Sequence, residues 1–350
     1  MFPQSKQYPS AAHPSGEFVN PLLPSGADPW SIRRDGWYYY THTTYDDLTI
    51  WRTRCLASLA TAESKVVWTP PAGTAYSRGL WAPELHFLDG AWYLYFAADD
   101  GRNRNHRLYV LENRCSDPLH GTWTLLGQLR TPEDKWSIDA SVFEFKGVRY
   151  LLWSGWEGDE NGRQDIYVCR LANPWLAEGP RIRISQPEHD WERVGEIRNP
   201  GPDDKPHVAV NEGPQALIHN GRVFVIYSAS GCWTDAYTLG MLYADASSDL
   251  LDPDSWHKHP EPVFTATGEP GSGVYAAGHC SFFQSPDGGE DWILYHANPE
   301  PGLGCGRRRS PRMQRFTWTP QGFPDFGRPV HAGVALRAPR TAAAAHSAGD

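Results

Sequence analysis

Five polar residues recur at matching places along this 350-residue chain: Asp28, Glu84, Asp139, Glu212 and His279. Each stands six to nine residues ahead of a turn glycine, in the order Gly36, Gly90, Gly147, Gly221 and Gly288. Each turn leads into a strand rich in aromatic and β-branched side chains, as in Trp37-Tyr38-Tyr39-Tyr40. If the repeats are set around an axis, four carboxylates and one imidazole converge on it. Carboxylates of unlike environment suit cleavage of a glycosidic bond: one protonates the leaving oxygen and another acts across the sugar ring. Their pKa values must be pushed apart, so that one is protonated while the other is ionised. A third carboxylate near the acid raises its pKa by like-charge repulsion.

The local contexts sharpen the set. Pro29 disfavours a helical backbone at Asp28 and favours an extended one. Asp139 lies among the apolar residues of Ile138-Asp139-Ala140-Ser141-Val142, where a carboxylate is costly without a purpose. Glu212 enters an apolar strand and is followed by Gly213-Pro214, a turn that would aim its side chain. Glu84 fits either a scaffold bond or a substrate contact, and His279 either an axial ion, an ordered water or simple packing. Trp30 and Trp81 are candidate sugar platforms, although Trp81 could equally pack. Arg312 and Gln314 could bind hydroxyls or fix a carboxylate.

The elements that would position these residues are short strands. The turn glycines are separated by 54, 57, 74 and 67 residues, and further strand-like runs such as Leu48–Arg52, Leu108–Leu111, Ile166–Arg170 and Leu239–Tyr243 follow most turns. Units of that length, divided by Gly, Pro, Asn and Asp, predict an all-β, five-bladed β-propeller with four-stranded blades. The first strand of each blade would line the axial channel. The late strand Met313–Trp318 would complete the ring near the N-terminal segment. Residues 18–338 form one catalytic domain in this reading, 1–17 an N-terminal extension and 339–350 a disordered tail. The long stretch from His189 to Val210 is the expected pocket wall.

The bulk composition excludes other classes. A net charge of −9 offers no basic stripe for nucleic acid, and the run Arg307-Arg308-Arg309 reads as a solvated loop. No apolar run approaches the roughly 18 residues of a membrane span. The six cysteines are scattered without a CxxC pair, so a zinc site is not expected and buried free thiols are preferred to disulfides. Met1–Glu17 carries no Lys/Arg-led apolar segment, so a cytoplasmic location is expected, with secretion after signal removal as the alternative.

Taken together, the Asp28 segment, Trp81-Ala82-Pro83-Glu84-Leu85, Ile138-Asp139-Ala140-Ser141-Val142-Phe143, Asn211-Glu212-Gly213-Pro214 and Gly278-His279 resemble glycoside hydrolase family 43. The segment from Arg312 to Pro324 is similar to that family's last strand. The resemblance implies an inverting glycosidase with Asp28 as general base, Glu212 as general acid and Asp139 as pKa modulator. It implies no cofactor for the chemistry, and a structural calcium or water near the axis at His279. The opening Asn20–Trp30 and the strand Tyr38–Thr43 look most like exo-acting α-L-arabinofuranosidases, which implies release of L-arabinose from α-1,5-linked arabinan. Arabinan- or arabinoxylan-derived oligosaccharides are then the expected partners, with neither nucleic acid nor membrane. A β-xylosidase or endo-arabinanase of the same family, and a non-catalytic sugar-binding propeller, are the rival readings. The family's second-blade wording carries Asp where this chain has Glu84.

Overall fold

The computed structural model describes residues 16–341 except 132, 202 and 203. Residues 1–15 of the expected N-terminal extension and 342–350 of the expected tail lie outside the described residues. The described chain is all-β, and its helical pieces are short 3-10 segments of three to six residues.

Strand β1 (Glu17–Val19) precedes four strands of a first sheet: β2 (Ala27–Arg34), β3 (Trp37–Thr43), β4 (Leu48–Thr53) and β5 (Glu63–Trp68). The second sheet holds β6 (Arg78–Leu88), β7 (Ala91–Asp99), β8 (Arg107–Asn113) and β9 (Thr124–Gln128). The third unit is β10 (Ser137–Phe145), β11 (Val148–Trp156), β12 (Asn161–Asn173) and β13 (Leu176–Ser185). The fourth is β14 (Asp204–His219), β15 (Arg222–Ala229), β16 (Thr238–Asp245) and β17 (His257–Lys258). A short parallel pairing of β12 with β14 joins these two units into one eight-stranded sheet. The last sheet is β18 (Tyr275–Gln284), β19 (Asp291–Asn298), β20 (Ser310–Trp318) and β21 (Pro324–Asp325), and β22 (Ala335–Arg337) returns to pair with β1. This set of four-stranded antiparallel units is consistent with the expected propeller.

The turns that announce the repeats behave as their residues dictate. Asp35-Gly36, Asp89-Gly90, Lys146-Gly147 and Asn220-Gly221 all have positive φ at both positions. That is the two-residue hairpin turn whose twist matches the flanking strands. The fifth differs: Gln284 pairs with Asp291 across a longer loop, and within it Gly288 has positive φ.

Five apolar clusters fill the spaces between successive sheets. The one between the last sheet and the first packs Trp292, Leu294 and Met313 against Tyr38 and Tyr40. Burying each large side chain contributes about 1.5–3 kcal/mol, so the aromatic strands read from the sequence are core first and sugar platforms second.

The N-terminal segment is laced to β20, as expected. Asn20 brackets Met313, donating from Nδ2 to its carbonyl at 2.9 Å and accepting its N–H at 3.0 Å. Leu22 N–H donates to Pro311 O at 2.8 Å, and Gly26 N–H to Arg309 O at 2.9 Å. Arg340, assigned to the tail, is fastened by its N–H to Glu290 and by its guanidinium to Gly289 O.

Candidate active site

The first strand of every unit carries a bulge. The register breaks after Ala27, Trp81, Ile138, Glu212 and Gly278 and resumes at Trp30, Glu84, Ser141, Gln215 and Ser281. The first bulged residue is left-handed in all five: Asp28 (φ 56), Ala82 (44), Asp139 (58), Gly213 (56) and His279 (44). A bulge of this kind re-aims side chains at the end of a strand. The second bulged residue is Pro29, Pro83 or Pro214 in three strands, where no ladder N–H is required. The true equivalents are therefore 28, 82, 139, 213 and 279. Glu212 stands one residue early and Glu84 two residues late in the repeat.

That shift separates the candidates. Asp28, Asp139, Glu212, His279 and Trp81 line one cavity of about 350 Å³. Glu84 does not line it. Its carboxylate lies among Gln215 and His86, with His86 Nε2 at 3.0 Å, and Gln215 Nε2 donates to its other oxygen. It is part of a polar belt that Ser141 joins through Gln215. Trp30 also lies elsewhere, donating from Nε1 to Leu85 O at 2.9 Å and lying against His86. Arg312 is fully buried, with Nη2 donating to Gly273 O at 2.7 Å. Gln314 spans the carbonyls of Phe326 and Arg328 and accepts the Val330 N–H. These last four hold the scaffold around the cavity.

Asp28 has the most cationic surroundings of the three carboxylates. Thr43 Oγ1 donates to its Oδ2 at 2.5 Å and itself accepts the Ala82 N–H at 2.7 Å. Oδ1 faces His279 Nδ1 at 3.2 Å, His296 Nδ1 at 3.4 Å and Arg309 Nη1 at 3.4 Å. The Asp28 N–H donates to His296 Nδ1 at 3.0 Å. Burial alone would raise the Asp28 pKa, but His279, Arg309 and His296 outweigh it and hold the carboxyl well below its usual range. Burial also lowers both imidazoles, His296 to about 4. The lasting positive charge beside Asp28 is therefore Arg309.

The other two carboxylates are pushed the opposite way. Burial, then the nearby Glu212 and Asp28 charges, lift Asp139 well above the carboxylate range. Its Oδ2 accepts the Gly213 N–H at 2.9 Å. Burial lifts Glu212 to about 7, with Asp28 adding to the rise and the hydroxyl of Tyr237, donating to Oε1 at 2.8 Å, opposing it. One cavity thus holds an ionised carboxylate and a carboxyl poised to hold a proton near neutrality.

Several lining residues were not singled out in the sequence. Trp136 and Trp233 join Trp81 in the cavity wall. Trp81 is backed by His106 at 3.8 Å and Trp136 by Trp156 at 4.9 Å, both stacked. Both rings are thus held flat from behind at the cavity wall. Arg309, read as part of a solvated basic loop, is instead buried on Asp28, with Nη2 donating to Cys305 O at 2.9 Å and to Tyr45 Oη at 3.0 Å. The expected wall after His189 contributes Ile197 and Asp204, the latter accepting from Asn161 Nδ2 at 2.9 Å.

The preference for free thiols fails at one pair. Cys232 and Cys305 form a disulfide in the cavity wall, while Cys55, Cys115, Cys169 and Cys280 are free. The bridge spans loops of two different sheets, so only the folded chain brings the pair together. Among the described residues, no group of three or more His, Cys, Asp or Glu side chains is arranged to hold a metal ion.

The chain belongs to the glycosyl hydrolases of family 43, whose model matches residues 18–324. It is 41% identical over 332 residues to an extracellular exo-α-(1→5)-L-arabinofuranosidase of Streptomyces avermitilis, covering 92% of this chain and 66% of that one. It is also 41% identical over 297 residues to the enzyme of that description from Streptomyces chartreusis, covering 83% and 86% respectively. Among solved structures, an α-L-arabinofuranosidase of Lactobacillus brevis superposes with a TM-score of 0.81 at 35% identity, covering 91% of this chain and 98% of the other. The family resemblance read from the motifs is thereby borne out. The cytoplasmic expectation is overturned, because the two Streptomyces relatives are extracellular enzymes. A disulfide in the cavity wall agrees with the oxidising compartments where such bonds persist.

Proposed function

We propose that this chain is an inverting exo-α-L-arabinofuranosidase that releases L-arabinose from α-1,5-linked arabinan or arabino-oligosaccharides. The observation that carries it is the pairing in one cavity of Asp28, held ionised, with Glu212, held protonated up to about pH 7. The names of its relatives supply the sugar and the linkage.

In this mechanism Asp28 takes a proton from a water as the water oxygen bonds to the anomeric carbon. The anomeric C–O bond breaks, its electron pair goes to the leaving oxygen, and Glu212 delivers the proton that oxygen needs. Asp139 and Glu212 repel each other once both ionise, so the pair resists losing its protons, and Asp139 fixes the Glu212 backbone through the Gly213 N–H. Trp81 and the other backed rings carry the sugar faces. Walls from Ile197, Asp204, Trp233 and the Cys232–Cys305 bridge favour a pocket for a chain end.

The scaffold reading goes with it: one catalytic unit over 18–338, its five sheets closed into a five-bladed ring. Support comes from the apolar cluster between the last and first sheets and from Ser281 Oγ donating to Pro29 O at 2.8 Å between their inner strands. An axial calcium at His279 draws no support from the donor set. Calcium takes six to eight oxygens, and His279 presents a nitrogen to the one carboxylate that also faces His296 and Arg309.

The test is product analysis on linear α-1,5-arabino-oligosaccharides with wild type and Glu212→Gln. Stepwise release of arabinose, lost in the variant, is expected. Short oligomers from the start would make the enzyme endo-acting, and no release would remove arabinan as the substrate.

A further inference from the structure

Tyr237 lies in the segment between β15 and β16, where Ala236-Tyr237-Thr238 enters the strand. Its ring is 1% exposed and takes no place in the five apolar clusters of the described residues. Instead it touches both halves of the reaction centre. The hydroxyl donates to Glu212 Oε1 at 2.8 Å. The ring lies parallel to His296 at 5.7 Å, and His296 Nδ1 accepts the Asp28 N–H. Gly278 makes room for it, since a Cβ there would stand 2.2 Å from Tyr237 Cε1. A phenol placed this way has a purpose beyond filling space.

We propose that Tyr237 is the positioning residue for proton donation: it holds Oε1 of Glu212, leaving Oε2 to carry the proton that reaches the leaving oxygen. This rests on the reading of Glu212 as the general acid. As the Glu212 O–H bond breaks and the new O–H bond forms on the leaving oxygen, negative charge develops on the Glu212 carboxyl. A hydrogen bond to a carboxylate is stronger than one to the neutral acid. The Tyr237 bond therefore tightens in the transition state, which is the condition for raising kcat rather than binding. The same bond sets where Glu212 titrates, together with the other groups that face it: Asp28, Asp139 and Arg309.

The experiment compares wild type, Tyr237→Phe and Glu212→Gln on arabinobiose and on a dinitrophenyl arabinofuranoside, across pH. A poor leaving group needs the proton and a dinitrophenolate does not. Tyr237→Phe should lose about ten- to a hundredfold in kcat on arabinobiose, the scale of one hydrogen bond to a charged group, and little on the aryl substrate. Its basic limb should move to higher pH, because the lost bond had favoured ionised Glu212. Incorporating 3-fluorotyrosine at 237, a better donor of the same shape, should move that limb to lower pH and keeps the test usable if the Phe variant fails to fold. Equal losses on both substrates, or a basic limb that stays in place in either variant, would overturn the proposal. Glu212→Gln separates the two failures. Selective loss on arabinobiose upholds the general acid, whereas equal loss on both substrates removes it and the role of Tyr237 with it.

Discussion

The backbone N–H of Gly213 donates to Oδ2 of Asp139 at 2.9 Å, so the carboxylate that faces Glu212 is fastened to the peptide that follows it. That bond sets where Glu212 points. Asp139→Ala leaves the Gly213 N–H without its buried acceptor and should cost about tenfold or more in kcat, whereas Asp139→Asn keeps an acceptor oxygen and should lose less. Comparing kcat of the two purified variants checks this.

The wild-type profile follows from the same electrostatics. Glu212 must be protonated and sits at about 7, so activity should fall on the alkaline side from near that pH. Asp28 must be ionised and is held well below its usual range, so the acid limb should lie below that of an ordinary carboxylate. Measuring kcat/KM on arabinobiose, whose leaving oxygen needs the proton, from acid to alkaline pH tests both limbs together.

Arg309 supplies the lasting charge beside Asp28. Replacing it in Arg309→Gln should raise the Asp28 pKa and carry the acid limb upward, with the basic limb moving much less. Activity at acid pH should drop by about tenfold, the scale of a hydrogen bond between charged groups. An unchanged acid limb would mean that Arg309 serves only the loop around Cys305.

The Cys232–Cys305 bridge closes a separation of 73 residues and walls the cavity beside Trp233. Its loss in Cys232→Ser should destabilise the protein by about 2–4 kcal/mol, read as a lower melting temperature that reductant no longer changes. The Cys305 carbonyl also anchors Arg309 and Tyr45, so KM should rise as well.

Trp81 stacks on His106, which is itself held by Asp99 and the Gly79 carbonyl. Trp81→Ala should therefore cost binding more than turnover. A rise of about fivefold in KM on arabino-oligosaccharides, roughly the 1 kcal/mol of an aromatic contact, is expected, with kcat changed little.

Four of the five repeats were legible because Asp-Gly, Asn-Gly and Lys-Gly turns have few alternatives to a tight hairpin, and the fifth because its aromatic strand, like the others, had to be core. The three carboxylates were legible because each broke an apolar or turn context at a repeated place. The bulge was not, since its only trace is Pro29, Pro83 and Pro214. A bulge turns neighbouring side chains to different sides, which is why Glu84 left the cavity and Glu212 reached it from one residue earlier. Arg309 was hidden in a basic run whose other members, Arg307 and Arg308, are exposed. The disulfide partners lie far apart in sequence, and no local spacing could pair them.

The most direct measurement of the central claim is the anomeric form of the first arabinose released, followed by proton NMR within the opening minutes of hydrolysis of an α-linked substrate. Asp28 acting through water predicts that the β-anomer appears first and then mutarotates. First appearance of the α-anomer would mean a covalent intermediate on Asp28, and would contradict the assignment of the two carboxylates as base and acid on opposite faces of the sugar.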